Sequence, residues 1–307
     1  MHSLISIIYV NFNTSELLTA SISSLIKHSA TVRFEIIIVD NNSREEEKKI
    51  LKQVLNLAGA ISIKWLPENR GFGAANNSGA AMAKGNYLFF LNPDTLIRNN
   101  VLRIFCDFFF NASVNIAACG GSLWNETANK NHSYGNFPGL RQEIFMVGFG
   151  LSLLFPRFYQ RKVAIGSEIY SDEVATVDYI VGADFFIKTD IFKVIEGFDE
   201  EYFMYYEDAD LCKRLNLAGY RAVILPQAEI VHLEGGAVKQ QGGGFNIWKF
   251  EMLLKSKLRY YKIWEADKLL IIKAVLFLQI IAQFFKGNQG NSLPLLIRTY
   301  FNALRNS

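Results

Sequence analysis

The 307-residue chain is half hydrophobic and one-fifth charged, with 14% aromatic residues and only 6 prolines, which excludes a disordered, collagen-like or low-complexity protein. A net charge of +3 is too small for a dedicated nucleic-acid binder. Three widely spaced cysteines, Cys106, Cys119 and Cys212, form neither a disulfide framework nor a zinc-ribbon spacing, and so point to a reducing compartment.

The first hundred residues alternate apolar runs with helical patterns. Residues 6–10 read as a buried strand that runs straight into polar Asn11-Phe-Asn-Thr14; no basic segment precedes it, so it does not read as a secretory leader. An amphipathic helix follows over 16–28, a buried strand over 34–40, a helix over 45–57, a strand over 61–66, a helix over 74–84 and a strand over 87–91. Continuous rather than alternating apolar runs, separated by helices, predict parallel strands covered on both faces, hence an α/β open sheet. Ligands in such sheets sit at the carboxyl ends of the strands, which here carry Asn11, Asp40, Pro67-Glu-Asn-Arg70 and Asn92-Pro-Asp94.

The middle is less regular. Residues 120–139, rich in Asn, Gly and Ser, read as a long loop, and 144–155 form an almost unbroken apolar run too short to span a bilayer as a helix. Strand character returns at 179–188 and 221–225, with a helix from Tyr205-Tyr-Glu-Asp-Ala-Asp-Leu-Cys212 onward between them. Beyond Gly244 the chain reads as helical, so we expect a catalytic α/β domain over 1–244 and a helical extension over 245–307. From Lys249 to the end there are ten Lys/Arg against three Asp/Glu, a local charge of +7. A basic, apolar-rich extension suits an anionic membrane surface better than nucleic acid.

Five constellations carry chemistry. Asp40 with Asn41-Asn42-Ser43 can accept hydrogens from a nucleotide, although the same residues would serve as a helix N-cap. In Glu68-Asn-Arg-Gly-Phe-Gly73 the glycines between strand and helix allow close approach of a phosphate, and Arg70 could add a contact; without a Gly-Lys-Ser/Thr ending it is not a P-loop. Asp94 of Asn92-Pro-Asp94-Thr95 is a lone carboxylate at a strand end, suited to a hard divalent cation that takes further oxygen ligands from phosphates, or to capping the next helix. Glu207, Asp208 and Asp210 open a helix behind two tyrosines, which suits a carboxylate in a walled pocket and equally a macrodipole counter-charge. His232 is informative only if it converges with Asp94.

Taken in order, Val10-Asn-Phe-Asn-Thr14, Ile38-Val-Asp-Asn-Asn-Ser43, Asn69-Arg-Gly-Phe-Gly73, Leu91-Asn-Pro-Asp94, Gly197-Phe-Asp-Glu200, Tyr206-Glu-Asp-Ala-Asp-Leu-Cys212, His232 and Lys255-Ser-Lys-Leu-Arg-Tyr-Tyr261 resemble inverting glycosyltransferases of family 2, in particular their bacterial rhamnosyltransferase-like branch. The resemblance covers roughly residues 4–262 and implies the nucleotide-diphospho-sugar transferase (GT-A) fold. It further implies that Asp208 is the general base, that Glu207 orients the acceptor or supports the base, and that Asn11, Asp40, Asn42, Asn69, Arg70, Gly71, Asn92 and Asp94 bind the nucleotide-sugar. Asp94 and His232 would hold Mg²⁺ or Mn²⁺, with Asn92 standing where the family's metal motif has its first Asp.

The function so implied is transfer of a sugar from a dTDP- or UDP-sugar donor, dTDP-rhamnose being one candidate, to a hydroxyl of a saccharide or lipid-linked saccharide in cell-surface polysaccharide synthesis. It would take place at the cytoplasmic face of a membrane, with the protein bound peripherally. Two other readings are a non-catalytic sugar-binding subunit of the same fold and a nucleotidyltransferase, which would want a basic Gly-rich loop near the N-terminus. A Rossmann dehydrogenase is disfavoured, since no Gly-x-Gly-x-x-Gly follows the first strand.

Overall fold

The computed structural model describes residues 3–29, 31–57, 60–147, 173–233, 246–285 and 293–305. Its N-terminal half is built as the apolar periodicity dictates: β1 (Ile5–Asn11), α1 (Ser15–His28), β2 (Phe34–Asp40), α2 (Glu45–Val54), β3 (Ile61–Trp65), α3 (Phe72–Ala80) and β4 (Tyr87–Leu91). β1 pairs in parallel with both β2 and β4, and β2 with β3. Every residue of β1 is buried because the sheet is covered on both faces. Ile5, Ile7 and Tyr9 face a core shared with Leu18, Ile22 and Leu25 of α1, whereas Ile8 and Val10 face the opposite core with Ala75 of α3.

Past β4 the chain runs through β5 (Thr95–Ile97), α4 (Val101–Asn111), β6 (Ile116–Trp124), β7 (Tyr134–Gly135), α5 (Leu140–Val147), β8 (Ala175–Val177), β9 (Tyr179–Ile180), β10 (Asp184–Lys188), α6 (Thr189–Val194), α7 (Glu207–Leu217) and β11 (Arg221–His232). The main sheet has the order β3-β2-β1-β4-β10-β6-β11-β5, with β8 also on β11. β10 lies antiparallel to β4 and β6, so the sheet is mixed: parallel on the N-terminal side, and beyond it with β11 parallel to β6 but antiparallel to β5.

Three expectations change. Residues 120–124 belong not to a loop but to β6, a central strand whose Gly120 and Gly121 stand where an added Cβ would meet Ile180 Cγ2 at 2.6 Å and the Ala228 carbonyl oxygen at 2.5 Å. The stretch 179–188 is two strands, β9 in a small second sheet with β7 and β10 in the main one. The strand begun at 221 continues to His232 through an irregularity at Pro226, which lacks a ladder donor. Of the apolar run 144–155, residues 144–147 end α5, while 148–155 lie outside the described residues.

The C-terminal stretch forms α8 (Ile247–Trp264), a 3₁₀ turn (Ala266–Lys268), α9 (Leu269–Phe285) and α10 (Leu293–Arg305). Leu254, Leu258, Ile272, Leu276, Ile280, Leu296 and Tyr300 make a third core, which also takes in Tyr202 and Ala209 from the segment around the start of α7. Among the described residues, no helix is long and apolar enough to cross a membrane.

Candidate active site

Parallel register sets Asn11 beside Asp40 at the carboxyl ends of β1 and β2. Asn11 Nδ2 donates to Asp40 Oδ1 and to Ser43 Oγ, both at 3.0 Å, and the Ser43 N–H donates to Asp40 Oδ2 at 3.1 Å. Asp40 is thus fully buried behind the cleft wall rather than on it, while Asn42 is exposed in a left-handed turn. Asn41 continues the wall: its Nδ2 donates to Asn69 Oδ1 (2.9 Å) and its Oδ1 accepts from the Arg70 N–H (2.9 Å). The Arg70 guanidinium turns aside to Glu200 at 2.6 Å. Gly71 has φ +83° and ψ −179°, a region open to glycine alone, and a Cβ there would fall 2.2 Å from the Phe203 carbonyl oxygen. The Phe72 N–H bonds to that oxygen at 2.9 Å, which ties the start of α3 to the segment ahead of the acidic pair.

Asp94 and His232 converge. β5 runs antiparallel to β11 with Thr95 opposite His232, and His232 Nε2 lies 3.3 Å from Asp94 Oδ1. Asp94 does not cap the following helix, for which the Asn100 side chain accepts from the Arg103 N–H at 3.2 Å. Asn92 Oδ1 is buried without a hydrogen-bond partner two residues from Asp94. A carboxylate, an imidazole nitrogen and an unsatisfied carbonyl oxygen suit a hard divalent cation. No cluster of three or more His, Cys, Asp or Glu occurs among the described residues, so such an ion would draw its remaining ligands from elsewhere.

Glu207 and Asp208 open α7 immediately after Tyr205 and Tyr206, both left-handed at φ 72° and 69°. Non-glycine residues in that region cost about 1–3 kcal/mol each and persist only where the surroundings fix them. Burial raises the pKa of both carboxyls, and their mutual repulsion lifts Glu207 further. Asp208 has offsetting donors on both oxygens: the Ala209 N–H reaches Oδ1 at 2.7 Å and the Gly182 N–H reaches Oδ2 at 3.0 Å. Glu207 Oε2 is buried and unbonded. Both carboxyls therefore hold a proton more tightly than an exposed acid does, Glu207 the more so.

These groups line one continuous cleft. Asn13, Asn41, Asn69, Gly71 and Asp94 border a half of about 430 Å³. Tyr205, Glu207, Asp208 and His232 border a half of about 410 Å³, and Phe72, Asn92 and Met204 belong to both. Two contributions are not legible as motifs. Trp248 and Lys249 of α8 close the first half, and an aromatic–basic pair at a helix start is only a faint signal. Asp184, on β10 opposite Leu91, is fully buried; its Oδ2 accepts from the Gly121 N–H at 2.5 Å, its Oδ1 has no partner, and burial lifts its pKa well above the carboxylate range.

A family model described as Glycosyl transferase family 2 matches residues 6–164, more than half of the chain. Rhamnosyltransferase WbbL of Escherichia coli (strain K12) is 32% identical over 238 residues, which cover 74% of this chain and 81% of that protein. The N-acetylglucosaminyl-diphospho-decaprenol L-rhamnosyltransferase of Mycobacterium tuberculosis (strain ATCC 25618 / H37Rv) is 32% identical over 99 residues, 31% of this chain and 32% of that one. Among solved structures, GalNAc-T7 with UDP, GalNAc and Mn²⁺ superposes with a TM-score of 0.63 at 16% identity, covering 96% of this chain and 56% of that one. Mannosyltransferase PcManGT from Pyrobaculum calidifontis, in complex with GDP-Man and Mn²⁺, gives 0.58 at 16% identity, covering 99% and 81%. At that identity the two structures establish the fold, which is the GT-A fold expected from the sequence.

Proposed function

The chain belongs to glycosyl transferase family 2, and from that premise we propose that it transfers a sugar, with inversion, from a nucleoside-diphosphate donor to a saccharide hydroxyl. The carrying observation is that the Asp94–His232 pair and the Asp208 carboxylate lie on the walls of one cleft whose halves share Asn92.

In this reading the nucleotide occupies the half bordered by Asn13, Asn41, Asn69 and Gly71. Asp40 acts on it through Asn11, Asn41 and Ser43, or directly once its present bonds are exchanged. Asp94 and His232 would hold Mg²⁺ or Mn²⁺, assisted by Asn92 Oδ1, and the ion would neutralise the departing diphosphate as a Lewis acid. The two structural neighbours, one with UDP, GalNAc and Mn²⁺ and the other with GDP-Man and Mn²⁺, support divalent-metal use.

The acceptor hydroxyl would sit in the Asp208 half of the cleft. Asp208 takes the hydroxyl proton as the oxygen attacks the anomeric carbon opposite the leaving diphosphate, so one displacement inverts the centre. The elevated basicity of Asp208 suits this role. Glu207, whose pKa is raised by burial and by the neighbouring Asp208 charge, can donate to an acceptor oxygen through Oε2 when it carries a proton.

Similarity to two rhamnosyltransferases makes a dTDP-sugar, dTDP-rhamnose first, the leading donor, with UDP-sugars second. The decaprenol-linked substrate in the mycobacterial relative's name supports a lipid-linked saccharide as acceptor, reached from the cytoplasmic face by peripheral attachment. Residues 1–244 then form the catalytic domain and 245–307 an extension that meets the membrane. The test is a panel of nucleotide-sugars scored for metal-dependent binding and hydrolysis; a protein that binds and cleaves none of them is not a transferase of this kind.

A further inference from the structure

We propose that α8 positions the catalytic base: its inner side is a splint that holds the 199–210 segment, and through it Asp208, in working geometry. The inference rests on the reading of Asp208 as the base.

The splint touches the segment at four points in chain order. The Arg259 guanidinium donates twice to Asp199 Oδ2, at 2.6 and 3.1 Å. Ser256 Oγ donates to the Met204 carbonyl oxygen at 2.7 Å. The rings of Tyr206 and Tyr261 pack edge to face, their centroids 6.5 Å apart. Trp264 Nε1 donates to Asp210 Oδ1 at 2.9 Å. Between the second and third points lie the two consecutive left-handed residues, Tyr205 and Tyr206. Tyr206 is the N-cap of α7, and its side chain makes no cap hydrogen bond there. A turn of that kind relaxes unless its surroundings over-determine it.

The third contact is itself anchored from behind. Tyr261 donates to Glu143 Oε1 at 2.6 Å, and Glu143 Oε2 accepts from Lys257 Nζ at 3.0 Å and from Gln279 Nε2 at 2.8 Å. Glu143, Lys257 and Gln279 are all buried. A buried hydrogen-bonded network of this kind specifies one arrangement of its members, which an interchangeable apolar contact does not. Its outcome is the placement of Asp208 within 3.0 Å of the Gly182 N–H, on the cleft wall.

The test uses the full-length chain with Tyr206→Leu, which removes the ring packed on Tyr261, with Tyr261→Phe and Ser256→Ala, which each remove one bonded hydroxyl, and with the double tyrosine variant. Donor affinity is measured by calorimetry with Mn²⁺, and transfer at saturating donor uses the nucleotide-sugar the panel selects. Misplacing a reacting group by about an ångström costs on the order of 10²-fold. The expected result is a kcat reduced by about 10–100-fold in each single variant, with donor affinity within about twofold of the parent. The double variant should be no slower than the slower single, because the two tyrosines act as one unit. An unchanged kcat, an equal loss of kcat and donor affinity, or additive effects of the two tyrosines would each overturn the splint. Asp208→Asn is run in parallel: an active Asp208→Asn overturns the base assignment itself, whereas an inactive one beside wild-type-like α8 variants overturns the splint alone.

Discussion

His232 Nε2 and Asp94 Oδ1 stand 3.3 Å apart although 138 positions separate them in the chain, because β5 folds back antiparallel on the end of β11 with Thr95 opposite His232. Both side chains keep a little exposure, 15% and 13%, toward the cleft that Asp94 borders on one side and His232 on the other. If the pair holds a divalent cation, Asp94→Ala and His232→Ala should each weaken Mn²⁺-dependent nucleotide binding by on the order of tenfold or more, since loss even of a supporting group costs that much in metal sites. Binding without metal should change far less. Calorimetric titration of dTDP and UDP with and without Mn²⁺ reads both; binding and turnover indifferent to EDTA would remove the metal from the mechanism.

If Asp208 is the general base, Asp208→Asn keeps the shape of the side chain and removes that function. Turnover should fall by about 10²–10⁴-fold while donor binding survives. In the parent, the raised pKa of Asp208 sets the acid limb of the kcat/KM profile. Protonation disables a base, so activity is lost as pH falls through that pKa, and the limb lies above the usual carboxylate range. An acid limb at the ordinary aspartate value, or a product that retains the donor's anomeric configuration, contradicts the assignment.

The β1–β4 half of the sheet was legible because period and length settle strand against helix in long apolar runs. β6 was not: Ile116-Ala-Ala-Cys-Gly-Gly-Ser-Leu-Trp124 is small and glycine-rich because β10 and β11 crowd it, and local composition alone reads that as a loop. In the site, Asp94, Glu207, Asp208 and His232 could be named from residue type and order, whereas the Tyr206–Tyr261–Glu143 chain joins residues far apart in sequence and leaves no periodic trace. Arg70 shows the converse, since a basic residue in a phosphate-like loop lies against Glu200 once folded.

Asp184 gives a stability prediction. Its pKa is raised well above the ordinary carboxylate value by burial, so the folded chain keeps a proton that the unfolded chain releases. Stability from this group is therefore present below the unfolded pKa and is lost as pH rises toward the folded one, by at most about 1.4 kcal/mol per pH unit. Asparagine resembles the protonated acid and does not titrate. Asp184→Asn should match the parent near about pH 4, the unfolded aspartate value, and exceed its stability increasingly as pH rises toward the folded pKa, as read from urea unfolding across that range. Parallel pH profiles for the two proteins would mean that Asp184 is ionised in the fold.

Gly71→Ala tests the crossing that shapes the donor half of the cleft. The added Cβ meets the Phe203 carbonyl oxygen at 2.2 Å, on a backbone at φ +83° that alanine disfavours. The conformational term alone is about 1–3 kcal/mol, and the clash adds to it or breaks the Phe72 N–H bond to Phe203. The variant should melt several degrees lower and bind nucleotide more weakly. Gly219→Ala is the control, with φ +86° and open space around its Cβ; it should cost the conformational term without the loss of binding.

Among the described residues, the C-terminal helices present an exposed apolar face. One side of α9 is core, with Ile272, Leu276 and Ile280 buried, whereas Leu270, Ile271 and Leu278 on the other side are 83%, 56% and 51% exposed. Leu295 and Phe301 of α10 are exposed as well, and Phe301 packs 6.2 Å from Phe277 of α9, which brings the two helices' apolar residues to adjoining surface. Lys268 and Lys273 flank that strip on a stretch whose local charge is +7. A half-buried helix with basic neighbours suits the interface of an anionic bilayer, where each basic residue near the surface adds about 1 kcal/mol of attraction and lysine stems reach the head groups. The full-length protein should therefore float with liposomes containing anionic lipid at low salt, less so at high salt and not with neutral liposomes. Leu270→Glu with Ile271→Glu changes exposed positions only, so it should leave the fold and nucleotide binding intact and abolish flotation. If the parent stays unbound on anionic liposomes at low salt, or the double variant floats as well as the parent, this face does not meet a membrane.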